Sequence, residues 1–315
     1  MLKAHLSRTS QKKDPSKKGA VSTRKKRFRP LEPRHLEIIL QYVRFCVDGK
    51  DVRPTKFHSK IKPYNRKQST YDLLRKAKKR RMIFRPRLLC LPDIDVEFIE
   101  YNGLPRIDLY REKRKDPNVT YMMALTGAFS LICFKYGKKV LQCVKCITPS
   151  YPAKINFEDI DPTIHSKGKL KPMKRPENWS ELHWAVYRAR NDPQRSSIKV
   201  GKELNVACST VLDKYYEILK DCEIWMPFFP KGYYNYSPYI FTLKTEHETG
   251  IINELKKLDR SSYVYKADDT LILCLFFDRH LEMESFLKME KKGIVHDMRV
   301  SNPLHSINVF YEDTW

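Results

Sequence analysis

Apolar residues along the first part of the chain recur with a helical period. Leu36, Ile39, Leu40, Val43 and Val47 stand at i, i+3, i+4, i+7 and i+11, one face of a helix that Asp48 and Gly49 stop. Residues 54–61 predict a short second helix broken by Pro63, and residues 66–81 a longer third one with Leu73, Leu74 and Ala77 inward. Ile83 to Leu88 then read as a wing, so the segment predicts a winged helix-turn-helix. The pattern returns in the second half: helices over 180–189, 197–204 and 209–219, with a turn at Asn191 to Pro193.

Each helical unit is followed by alternating strands and helices. The later run predicts a strand over 239–245, a helix over 248–258 and strands over 262–267 and 270–278 turning at Asp268-Asp269. A helix over 280–289 and a strand over 295–300 follow, with 307–311 able to add another strand. That βαββαβ order is ferredoxin-like. The earlier run predicts a strand over 96–101, a helix over 104–113 and strands over 119–126, 130–136 and 140–147, leaving no room for a second helix. The fold class predicted is therefore α+β: two winged helix-turn-helix units, each followed by a ferredoxin-like domain, the first abbreviated. The expected divisions are an arm (1–30), helix-turn-helix 1 (31–92), ferredoxin-like domain 1 (93–160), a Lys- and Pro-rich linker (161–177), helix-turn-helix 2 (178–236) and ferredoxin-like domain 2 (237–315).

Charge is distributed unevenly over this plan. The 315 residues carry a formal net charge of +24. Residues 1–88 hold 28 Lys+Arg against 6 Asp+Glu, and residues 89–315 hold 33 against 31, so nearly all of the excess lies in the first quarter. A charge so concentrated points to a polyanionic partner. Part of it is a basic arm with Arg24, Lys25, Lys26, Arg27 and Arg29, whose composition does not support a packed core. The rest centres on the third helix, where Arg66, Lys67, Gln68, Ser69 and Thr70 lead and Arg75, Lys76, Lys78, Lys79, Arg80 and Arg81 trail. Polar side chains suited to base edges followed by cations suited to phosphates are what a recognition helix needs in a major groove, with Arg85 and Arg87 of the wing reaching further phosphates. Residues 178–232, with 8 Lys+Arg against 7 Asp+Glu, predict a mainly structural second unit.

Other chemistry is sparse. The eight cysteines read as free thiols, and Cys143 and Cys146 form a CxxC without the second ligand pair that a zinc site needs, so no metal and no cofactor is expected. His165, His183, His280, His296 and His305 form no recognisable catalytic constellation, and the reading is not an enzyme. No apolar run approaches the length that spans a bilayer, and no membrane partner is expected.

Three short motifs add a resemblance. Ser209-Thr210-Val211, with Lys214, Tyr215 and Ile218 behind them, is similar to the third-helix pattern of the Lrp/AsnC (feast/famine) transcription regulators, and Ser69-Thr70-Tyr71 with Leu74, Ala77 and Ile83 follows it more loosely. Ala124-Leu125-Thr126-Gly127-Ala128-Phe129 is similar to that family's turn between the second and third strands of its effector domain. Together with the order of elements over 33–315, these make the chain resemble a tandem-duplicated member. The resemblance implies a DNA-binding transcription regulator acting on double-stranded DNA, cytoplasmic and nucleoid-associated. It leaves open a small effector and a homodimer formed through the ferredoxin-like domains. The chain departs from the family in having Ser130 where an acidic residue is usual, and Asp268-Asp269 without a glycine in the second copy. A nonspecific architectural or RNA-binding protein is the alternative, and a tetrapyrrole decarboxylase-like enzyme a more distant one.

Overall fold

Prolines and capping residues set the helix boundaries. In the computed structural model, which describes residues 31–49, 51–101, 103, 105–278 and 283–308, α1 spans Pro33–Gly49, α2 Pro54–Ile61 and α3 Lys67–Lys79. Pro33 and Pro54 each stand at the start of a helix, where a missing N–H costs no hydrogen bond. α2 ends as Lys62 turns left-handed at φ 49°, its N–H bonding to the His58 carbonyl. The predicted inner face is buried at Leu36, Ile39, Leu40 and Val43 and meets Phe57, Leu73, Leu74 and Ala77. Each fully covered aliphatic side chain contributes about 1.5–3 kcal/mol. Tyr42 and Cys46, outside the predicted stripe, are buried too, because α1 is also covered by a strand of the second half.

The second helical unit comprises α5 (Glu181–Ala189), α6 (Ser197–Leu204) and α7 (Cys208–Ile218). Ser180 and His183 cap α5 reciprocally. Inside the unit the buried Arg190 guanidinium lies 3.6 Å from the centre of the Tyr215 ring and donates to Ser197 Oγ and the Pro193 carbonyl.

The segment expected as a wing is paired with the second half. β1 (Arg87–Leu89) pairs antiparallel with β6 (Glu223–Trp225), Arg87 opposite Trp225. Asn191 reinforces the pairing: its carbonyl accepts from the Leu88 N–H at 2.8 Å and its side-chain amide donates to the Leu88 carbonyl at 2.7 Å. The two helical units therefore share a two-stranded ribbon.

Eight further strands form one curled antiparallel sheet: β2 (Ile94–Ile99), β3 (Val119–Gly127), β4 (Leu131–Tyr136), β5 (Leu141–Ile147), β7 (Ser237–Thr245), β8 (Ser262–Ala267), β9 (Thr270–Phe277) and β10 (Val295–Asn308). Their order across the sheet is β2-β4-β3-β10-β7-β9-β8-β5. Each half of the chain thus lends a strand to the other: β5 adds to β8, while β10 lies between β3 and β7. The two short terminal strands expected from sequence are one long strand, β10, which absorbs their mismatch as register shifts at His296/Arg299 and Pro303/His305. β2 and β5, at the two ends of the order, lie against each other without a hydrogen-bonded ladder among the described residues.

Three helices accompany the sheet: α4 (Arg106–Lys113) between β2 and β3, α8 (Glu248–Leu255) between β7 and β8, and α9 (Glu284–Lys291) between β9 and β10. α4 begins later than the pattern predicts, and the start expected for α9, His280 included, lies outside the described residues. The linker expected from its Lys and Pro content is an ordered strap. It carries a 3-10 turn at Pro162–Ile164 and packs so closely on α8 that a Cβ on Gly250 would stand 2.5 Å from the Pro162 carbonyl. Its Leu170 N–H donates to the buried Glu248 carboxylate, which also holds Lys266. Arg175, at the strap's end, donates to the carbonyls of Pro92 and Leu141, pinning the approaches to β2 and β5 together. Residues 32–315 cluster as one compact unit, and the arm over 1–30 lies outside the described residues. No helix among the described residues is long and apolar enough to cross a membrane.

Candidate nucleic-acid interface

Burial of Leu73, Leu74 and Ala77 turns the opposite face of α3 outward. On it lie Gln68, Ser69, Arg75, Lys76 and Lys79, all exposed, with Arg66 and Lys67 at the helix start. Lys56 and Lys60 on α2 and Lys62 in the following turn are exposed as well. These three are not singled out by the sequence reading, although they belong to the basic excess of residues 1–88. Lys67 Nζ stands 5.7 Å from the centre of the Tyr71 ring, a contact that orders the first turn.

One acid interrupts this face. Asp72 accepts from the Gln68 side-chain amide at 3.0 Å and pairs with Arg75 at 3.4 Å. The residue best suited to reading a base edge is thus held by its own helix.

Several expected contacts do not join the exposed face. Thr70 is fully buried, its hydroxyl 2.8 Å from His58 Nδ1, because the helical period places it with Leu73 and Leu74. Lys78 turns toward the second half and donates to Gln194 Oε1 at 3.3 Å, and burial holds its ammonium below the usual lysine range. Arg80 and Arg81 are half-buried at the end of α3, where their backbone is clamped: Arg81 adopts φ 55° and its carbonyl accepts from the Tyr233 N–H at 2.9 Å. A Cβ on Gly232 would come within 2.5 Å of the Arg80 carbonyl, so only glycine permits this approach. Arg85 is exposed but faces Asp192 of the second half at 3.8 Å, and Arg87 stands in β1. Arg24, Lys25, Lys26, Arg27 and Arg29 lie outside the described residues.

The equivalent face of α7 differs in kind. Asp213, Tyr216 and Glu217 are exposed along it, and Glu217 is engaged by Lys214 at 2.9 Å and by His183 at 2.5 Å. Those contacts hold the Glu217 carboxyl below its ordinary value. His165 likewise sits against a carboxylate, Glu254, at 2.6 Å. The eight cysteines are free thiols.

No family model matches the chain, and neither a curated protein nor a solved structure matches it significantly.

Proposed function

We propose that the chain is a DNA-binding transcription regulator of the Lrp/AsnC type that engages double-stranded DNA through α3 and the neighbouring lysines of α2, with the basic arm following the backbone. One observation carries the reading: over α2, α3 and the turn between them Lys56, Lys60, Lys62, Arg66, Lys67, Arg75, Lys76 and Lys79 are exposed and Asp72 is the one acid, with Asp51 just ahead of α2, while α7 exposes Asp213, Tyr216 and Glu217. A phosphate backbone rewards that asymmetry through release of its counterions. The pairing of β1 with β6 supports two winged units placed back to back, and the run β7-α8-β8-β9-α9-β10 supports a ferredoxin-like second domain. The exchange of β5 and β10 supports a pseudo-dimer within one chain.

Fluorescence anisotropy of the full chain on labelled duplex DNA over a range of KCl tests this. Six neutralised phosphates give a slope of log affinity on log salt near about −5, and replacing Arg75, Lys76 and Lys79 by Gln reduces it by about 3. A slope near zero, or one the triple variant leaves unchanged, overturns the reading. Retention on an unlabelled random duplex as tight as on any selected sequence makes the protein architectural instead.

A further inference from the structure

Ser180, His183 and Glu217 of the second helical unit form a chain of hydrogen bonds that the DNA reading does not use. The Ser180 hydroxyl lies 2.7 Å from His183 Nδ1, and His183 Nε2 lies 2.5 Å from Glu217 Oε2. The backbone fixes where the ring proton sits. The Ser180 N–H, which can only donate, reaches Nδ1 at 3.0 Å, so Nδ1 accepts, and Nε2 carries the hydrogen that Glu217 receives. A serine hydroxyl against the lone pair of an imidazole whose other nitrogen is held by a carboxylate is the arrangement of an activated nucleophile.

Helix capping accounts for only part of this geometry. A capping box needs the Ser180 side chain and a side chain at the third helical position that reaches back to the Ser180 N–H. Glutamine does that equally well, and nothing in the cap calls for a carboxylate on the far ring nitrogen. α7 supplies one all the same. Lys214, bonded to the same Glu217 oxygen at 2.9 Å, helps to hold that carboxyl ionised.

The surroundings fit chemistry at the surface. Ser180 is exposed, so an ester in solution reaches it directly. The N–H groups of Glu181 and Leu182 open α5 without a hydrogen-bond partner among the described residues, and they point out of the helix end where Ser180 stands. Such donors stabilise negative charge on a carbonyl oxygen under attack. To one side stand two half-buried indoles: Trp179, its plane 20° from that of the His183 ring with centres 6.4 Å apart, and Trp184, 4.7 Å from Trp179. An uncharged apolar acyl group suits that wall, whereas the exposed Glu181 and Glu217 repel an anionic one.

We propose that Ser180 is a nucleophile toward uncharged carboxylic esters with a short apolar acyl group, with His183 as its general base and Glu217 as the positioning residue that orients the imidazole. Ser180 Oγ bonds to the ester carbonyl carbon while its proton passes to His183 Nδ1. The bond to the leaving alcohol then breaks, and the alcohol oxygen takes that proton. Water attacks the acyl-serine and gives a proton to Nδ1; the Ser180–acyl bond breaks, the proton returns to Oγ, and a carboxylic acid is released.

Hydrolysis of p-nitrophenyl acetate by the full chain tests this, together with a fluorophosphonate whose adduct is located by peptide mass spectrometry. Two variants keep the cap and remove the chemistry, because asparagine caps a helix as serine does and glutamine completes a capping box. Ser180→Asn should abolish the adduct, and His183→Gln should slow both hydrolysis and labelling about a hundredfold. Glu217→Gln should lower kcat about tenfold with KM unchanged, a split that a purely structural role would not produce. Circular dichroism checks that each variant is folded. Absence of an adduct on Ser180 overturns the proposal, as does labelling undiminished in the folded His183→Gln variant or hydrolysis undiminished in the folded Ser180→Asn variant.

Discussion

Lys78 of α3 donates its ammonium hydrogen to Gln194 of the second helical unit at 3.3 Å, and that same glutamine donates to the Tyr42 hydroxyl and the Val52 carbonyl at 3.1 Å each. A side chain from the later repeat thus ties together three positions of the earlier one. The cation that sequence assigns to phosphate is instead part of the joint that fixes α3 in place.

Replacing Gln194 by Leu strips the joint of its acceptor for Lys78 and its donor for Val52. We expect a loss of about 1–3 kcal/mol, the cost of leaving buried polar groups unpaired. Urea unfolding followed by circular dichroism measures it, and an unchanged midpoint would show that the joint carries no stability.

Asp72 holds Gln68 and Arg75 on the face proposed to meet DNA. In the variant Asp72→Asn the negative charge facing the phosphates is gone and Arg75 is released. Affinity for duplex DNA should rise severalfold at low salt, and the gain should shrink as salt screens the surface. Anisotropy titrations at two ionic strengths distinguish this from a change in folding.

Gly127 ends β3 at φ 106°, and a Cβ there would stand 2.5 Å from the Val300 carbonyl of β10. Gly127→Ala combines a backbone conformation that L-residues rarely adopt with a collision against main chain, so β3 and β10 must separate locally. A cost of at least about 2 kcal/mol is expected, read as a lowered unfolding midpoint. Wild-type stability in this variant would contradict the β3–β10 register.

Burial alone pushes the Cys274 thiol up to about 12. The folded chain keeps this proton where an unfolded chain releases it from about pH 8.5 upward. Stability from this group is therefore complete below pH about 8.5 and declines as pH rises toward the folded value, by about 1.4 kcal/mol per pH unit. Cys274→Val should lessen the fall in stability between about pH 9 and 11, and a denaturation series at fixed temperature across that range checks it.

Much of the secondary structure was legible because local pattern decides it. The stripe Leu36, Ile39, Leu40 and Val43 and the alternation in β8 each encode a face, and the boundaries of β8 match the expected 262–267. Partnership between elements was not legible. Nothing local in Leu141–Ile147 says that this strand adds to β8 rather than to β2, since its apolar residues suit either edge. The same holds for the candidate interface. Periodicity alone could have withdrawn Thr70, which falls in line with Leu73, Leu74 and Ala77. The diversion of Lys78 and Arg85 depends on Gln194 and Asp192, more than a hundred positions away, and only the folded chain brings them together.

The placement of β10 between β3 and β7 has a consequence for biosynthesis. Until that strand leaves the ribosome, β3 offers an unpaired backbone edge rich in methionine, leucine and alanine, and β7 offers another. The nascent protein therefore passes through a stage with two adhesive seams, and its earlier half cannot close by itself during translation.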